Sequence, residues 1–356
     1  MAAGRAIIAG FPGQAPPATL LRAAAESRLG GFILFRRNFE SVADAAELNR
    51  KLIAAFAPDA PPWIGVDQEG GRVARLGSPV VRLPAMRVLG EVDDPGLTGR
   101  AAAVLGAQLG CLGFNLDFAP VLDVDSNPAN PVIGDRAFSV DPDRVVRHGL
   151  AFAEGLQQAG VAACGKHFPG HGDTEVDSHL ALPRLGHDRQ RLQAVELKPF
   201  RAAARTLASI ITAHVVFEAI DPGLPATLSP EAIGGLLRRQ MGFKGVVFSD
   251  DLEMKSIEGS YGVSEAACLA VEAGCDAVLI CSRAELALEA YEALVRRAEQ
   301  RSVFAEKLRA AAARSVEVCR RFPAAAAAPT GGAIEAVLRD QDPDGIERRI
   351  ATAAGV

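Results

Sequence analysis

The sequence predicts an α/β fold, a (β/α)8 TIM barrel in a single domain, on three observations. Eight short apolar, β-branched runs recur along the 356 residues. Most are separated by Ala/Leu/Arg/Glu-rich stretches with helical spacing, the alternation that builds parallel strands joined by crossover helices. Ionisable residues stand at or just past the ends of several runs, the face on which barrel enzymes place their chemistry.

In chain order the runs are Ile7–Gly10, Gly31–Phe35, Trp63–Val66, Phe114–Asp117, Val161–Cys164, Ile210–Ala213, Val246–Ser249 and Ala277–Ile280. Eight is the number that closes a barrel. An open doubly wound sheet is the alternative, but it calls for a glycine-rich phosphate turn after an early strand, and GxGxxG does not occur. Asp67 follows the third run, Asp117 closes the fourth, Lys166 and His167 follow the fifth, His214 the sixth and Asp250 the seventh. The first run ends in Gly10-Phe11-Pro12-Gly13 and brings no acidic residue to that face.

Two long Gly/Pro/Asp-rich loops, Leu122–Pro142 and Phe168–Arg184, interrupt the pattern. Loops of that length inside a compact domain are usually functional. Residues 1–322 read as the catalytic barrel. Residues 323–356 read as an Ala/Pro-rich linker and a loosely docked tail, with one amphipathic piece around Ile334–Leu338.

Composition removes several classes of function. A net charge of −5 and no basic stripe interleaved with aromatics argue against a nucleic-acid partner. The six cysteines, Cys111, Cys164, Cys268, Cys275, Cys281 and Cys319, are scattered in apolar surroundings without CxxC pairs, and read as reduced core residues. The N-terminal apolar run is shorter than the roughly 7–15 residues of a signal-peptide core. No stretch approaches the roughly 20 apolar residues of a membrane span. The expectation is a soluble cytoplasmic protein acting on a small molecule without a cofactor.

The chemistry concentrates in Lys166–His179, KHFPGHGDTEVDSH, which packs three histidines, two aspartates, a glutamate and a lysine into fourteen positions. Such a cluster serves either metal binding or acid/base catalysis. Helical zinc sites need His at i and i+4, and the Gly and Pro here disfavour a helix. In Asp177-Ser178-His179 the carboxylate can accept a proton from one imidazole nitrogen, fixing the tautomer and freeing the other. A proton-transfer dyad is the leading reading, with a metal site as the second.

KHFPGHGDT followed by VDSH, together with IGVDQEGGRV, VIGDRAF, TAHVVF and FSDDL, resembles glycoside hydrolase family 3 over roughly residues 5–285. The closest resemblance is to its single-domain β-N-acetylglucosaminidases. It implies a (β/α)8 barrel and makes Asp250 the nucleophile, with the adjacent Asp251 as the weaker candidate. His179 becomes the general acid/base and Asp177 its partner, on a loop that closes over the sugar. Asp67, Arg75, Arg136, Lys166 and His167 match positions that bind the terminal sugar. A loop salt bridge is the plainer role for Asp67 and Arg136. His214 faces the same rim, His171 and Asp173 hold the loop's shape, and His148 and His187 read as solvated and without a role.

The reaction implied is retaining hydrolysis of a terminal β-linked N-acetylglucosamine, with peptidoglycan fragments (N-acetylglucosamine on anhydro-N-acetylmuramic acid) as substrate. Three other readings remain at the level of sequence. They are phosphorolysis on the same scaffold, a metal-dependent hydrolase using His167, His171 and His179, and a carbohydrate-binding protein without turnover.

Overall fold

The computed structural model describes residues 2–175, 182–324, 333–342 and 344–355. Each of the eight apolar runs forms a strand. They are β1 (Ile7–Ala9), β2 (Gly31–Leu34), β3 (Trp63–Val66), β4 (Leu116–Asp117), β5 (Ala162–Phe168), β6 (Ser209–Thr212), β7 (Val246–Asp251) and β8 (Ala277–Ile280). All pair in parallel with their sequence neighbours, and β1 pairs with β8 to close the barrel. A separate two-stranded pair joins Arg184–Leu185 to Val216–Phe217.

Because strand side chains alternate between faces, each strand feeds two cores. Inside the barrel Trp63, Phe118 and Phe248 meet edge to face, with ring centroids 5.6–5.8 Å apart. Ala162, Ala208 and Ala277 leave room for them. The last long helix, Ser302–Arg321, plugs the bottom: its Ser315 accepts from Trp63 Nε1 at 2.9 Å, and Val318, Cys319 and Phe322 join the interior cluster. The outward residues, among them Ile7, Phe32, Leu34, Ile64 and Val66, pack beneath the helices. All six cysteines are unpaired and five are buried.

Helix starts follow local chemistry. Ser41 and Asp44 form a reciprocal capping box at Val42–Ala54, and Asp94 and Asp141 cap helices that open with Pro95 and Pro142.

Two strands carry an extra residue relative to their neighbours. On β5, Gly165 and Phe168 lie opposite Ile210 and Thr212, so one residue of Lys166-His167 is bulged out. On β7, Phe248 and Asp251 lie opposite Ala277 and Leu279, so one residue of Ser249-Asp250 is bulged out. A bulge breaks the strict alternation and re-aims side chains.

The C-terminal segment contributes two helices, Ala333–Asp340 and Ile346–Ala354, the second in a stretch that reads as merely polar. Ile334, Leu338, Ile346 and Ile350 are buried in the outer core, and Gln108 Nε2 donates to the Leu338 carbonyl at 2.8 Å.

Candidate active site

The C-terminal ends of the strands open into a cavity of about 320 Å³ lined by Asp67, Glu69, Arg75, Arg136, Lys166, His167, His171, Asp250 and Asp251. Phe35, Phe118, Val132, Met254 and Leu279 supply apolar wall.

Past β3 the chain must turn back at once, and Gly70 and Gly71 take φ of +117° and +53° to do it. A Cβ at Gly70 would stand 2.7 Å from the Pro84 carbonyl oxygen. Gln68 clamps this turn: its Oε1 accepts from the N–H groups of Arg75 (2.7 Å) and Leu76 (3.0 Å). Its own N–H donates to Asp117 Oδ1 at 2.9 Å. Asp117 therefore sits beneath the site rather than in it, and burial pushes its carboxyl well above the usual range.

Three segments then meet in one ion network: the end of β5, the loop after β3 and the turn Gly134–Arg136. Lys166 Nζ from β5 donates to Asp67 Oδ1 at 2.8 Å and lies 2.6 Å from Glu69 Oε1. Arg136, on the short turn Gly134–Arg136, grips Glu69 with two bonds of 2.7 and 2.9 Å. Arg75 reaches Asp67 Oδ2 at 3.4 Å, its guanidinium 5.7 Å from the centre of the Phe35 ring. Burial by itself would raise the Glu69 carboxyl, but Arg136 and Lys166 override it and hold the group below the usual carboxylate range. Lys166, which burial would discharge, is instead held above its ordinary value by Asp67 and Glu69. Donors and acceptors are thus fixed in place before any ligand arrives. Asp67 and Arg136 are at once salt-bridge partners and cavity wall.

His167 Nδ1 lies 2.6 Å from Asp123 Oδ2, which orients the ring; Asp123 also accepts the N–H groups of His167 and His171. Despite burial, His167 and His171 hold Asp123 below its ordinary value. His171 does more than shape the loop, since it lines the cavity with its Nδ1 2.8 Å from Thr174 Oγ1. Burial and the neighbouring His167 push it down to about 4, so it is neutral at physiological pH.

Asp250 and Asp251 both border the cavity, which strict strand alternation does not allow and the β7 bulge does. Their bonding separates them. Asp251 Oδ1 is committed to backbone, accepting from Glu253 N at 3.0 Å and Cys281 N at 3.2 Å, and burial pushes its carboxyl up to about 7. Asp250 Oδ1 accepts from Asp251 N at 2.8 Å.

His214 does not line the cavity. Its Nε2 lies 3.0 Å from the Asp251 carbonyl, which can only accept, so this nitrogen carries the proton and secures the end of β7. His148 corrects the sequence reading: it is fully buried, 2.8 Å from Thr98 Oγ1, 3.2 Å from Asp93 and stacked on Phe138. Lying on one face of an amphipathic helix, Pro142–Gln158, it is a core residue despite its charged sequence neighbours. His187 is partly buried against Asp173. Asp177 and His179 lie outside the described residues.

Asp67, Arg75, Arg136, Lys166, His167 and Asp250 are therefore brought to one cavity from the ends of four strands or the loops that follow them. Sequence reasoning missed Glu69, Asp123 and the cavity face of His171. The signal for Glu69 was present in DQEGG, an acid two residues beyond Asp67.

A closed barrel with its fixed charges gathered at the strand ends defines an enzyme of the (β/α)8 class, built to bind a polar ligand. The chain belongs to glycosyl hydrolase family 3, matching its N-terminal domain over residues 14–318. A beta-hexosaminidase of Neisseria meningitidis serogroup C is 45% identical over 272 residues, 74% of each chain. The structure of a family 3 β-N-acetylglucosaminidase from a Paenibacillus species superposes with a TM-score of 0.88 at 40% identity, covering 96% of this chain and 67% of that one. NagZ of Neisseria gonorrhoeae, solved in complex with N-trifluoroacetyl-D-glucosamine, has a TM-score of 0.77 at 34% identity, covering 98% and 97%.

Proposed function

We propose that this glycoside hydrolase, a β-N-acetylhexosaminidase, removes a terminal β-linked N-acetylglucosamine with retention of configuration, using Asp250 as nucleophile. One observation carries this reading: Asp250 borders the cavity from the end of β7, on the same wall as the ion network that would hold a polar ligand. The Asp67–Glu69–Lys166–Arg136 network forms another part of the same wall.

In the first step the Asp250 carboxylate attacks the anomeric carbon as the glycosidic bond breaks, and imidazolium His179 gives its proton to the departing oxygen. In the second, neutral His179 takes a proton from water, whose oxygen displaces Asp250 and restores the β configuration. Asp177 holds His179 in the required tautomer. Lys166, Arg75, Arg136 and His167 donate to sugar hydroxyls while Asp67 accepts, replacing the water those groups lose. Family resemblance supports a muropeptide substrate, N-acetylglucosamine on anhydro-N-acetylmuramic acid, and hence work in cytoplasmic cell-wall recycling. The gonococcal structure holding an N-acylglucosamine supports the sugar.

A chromogenic β-N-acetylglucosaminide assay tests the assignment. Asp250→Ala should lose activity by on the order of 10³-fold or more. Full activity in that variant sinks it, and a first-formed α product would sink retention.

A further inference from the structure

Outside the cavity, a second set of ligand-type side chains gathers around the loop that follows β5. Asp173, His187 and Glu196 each bring a carboxylate oxygen or ring nitrogen to within 4.8 Å of the other two. None of them lines the cavity.

Glu196 is the telling member. Its side chain is 2% exposed and its Oε1 accepts from Arg191 Nη2 at 3.0 Å. Its Oε2 is buried with no hydrogen-bond partner among the described residues. Gly170, at φ +137°, packs directly on it: a Cβ there would lie 2.8 Å from Glu196 Cβ. The backbone leaving β5 is thus moulded against a carboxylate with one oxygen unmatched, although Arg191 lies beside it with its own Nε unpaired. Buried polar atoms are almost always satisfied, so such an atom beside two further ligand groups points to a missing cation.

We propose that Asp173, His187 and Glu196 hold a divalent cation of the zinc class. Two carboxylate oxygens and an imidazole nitrogen suit zinc better than magnesium or calcium, which take all-oxygen shells. His187 Nε2 now bonds Asp173, so the cation takes the place of that proton and binds neutral imidazole. Zinc ligands lie roughly 2.0–2.2 Å from the ion, so the three groups close inward on binding. Asp173 and His187, with side chains 18% and 31% exposed, have the freedom to do so. Arg191, 37% exposed, can swing out to solvent. The inference is independent of the proposed reaction.

The test uses the full chain, stripped with chelator and titrated with Zn2+ by calorimetry and with Co2+ by visible absorption. One ion per chain should bind, with His187→Ala and Glu196→Gln each weakening it about tenfold or more, and His179→Ala leaving it in place. His187→Ala truncates a partly exposed side chain, so it remains decisive if the buried variant folds poorly. Absence of saturable binding to the wild type, or unchanged affinity in His187→Ala and Glu196→Gln, overturns the proposal.

Discussion

Glu69 answers two cations at once, Lys166 at 2.6 Å and Arg136 at 2.7 Å, with a side chain only 2% exposed. A buried pair gains little over a well-packed apolar substitute, but removing one partner strands the others. Glu69→Gln keeps the shape and removes the charge, leaving Lys166 with Asp67 and Arg136 with the more distant Asp123 and Asp67 as counter-charges. The expected cost is about 3–5 kcal/mol of unfolding free energy. In the same variant kcat/KM should fall through KM, because both displaced cations line the cavity. Denaturant titration and steady-state kinetics measure both. Asp250 and Lys166 were legible because each stands at a strand end; Glu69 showed only as an acid in DQEGG, and its pairing with Lys166 and Arg136 did not show, because those partners belong to other elements.

At the level of elements, the β5 and β7 bulges explain how adjacent residues, Lys166 with His167 and Asp250 with Asp251, face one cavity. Hydrophobic pattern marks where a strand runs, whereas a bulge shows only against the neighbouring strand's register. The C-terminal helices are similar. Ile334 and Leu338 already read as an amphipathic piece, while Ile346 and Ile350 sit in a segment too charged to suggest burial. Leu338 is fully buried. Leu338→Ala should lower the unfolding free energy by about 2–5 kcal/mol and leave kcat/KM unchanged, since this helix contributes nothing to the cavity wall. A loss below about 1 kcal/mol in denaturant titration would mean that the helix is not docked in solution.

For the whole molecule, two groups set opposing pH dependences. Asp251 is raised from 3.8 to about 7. Its contribution is fully present below pH 3.8 and is lost as pH rises through 7. His171 is lowered from 6.5 to about 4, so its contribution is present above pH 6.5 and is lost as pH falls through 4. The two offset each other across the weakly acidic range, and removing one exposes the other. Asp251→Asn keeps an oxygen for the Glu253 and Cys281 N–H groups but cannot ionise. Its stability relative to wild type should rise by up to about 4 kcal/mol between pH 4 and pH 8, read from denaturant curves at each pH. A pH-independent difference would show that Asp251 ionises normally in the fold.

The number of strands and the barrel they close followed from the sequence alone, because a strand's apolar period and the turn that ends it are local properties of the chain. The motifs around Asp67, Lys166 and Asp250 likewise pointed to the family. Tertiary structure decided which charges pair and which histidines are buried. It placed His148 in the core, His171 on the cavity wall and Glu196 beside Asp173 and His187. Those outcomes depend on distances across the closed barrel and on how much water each group loses, and neither quantity is written in the order of neighbouring residues.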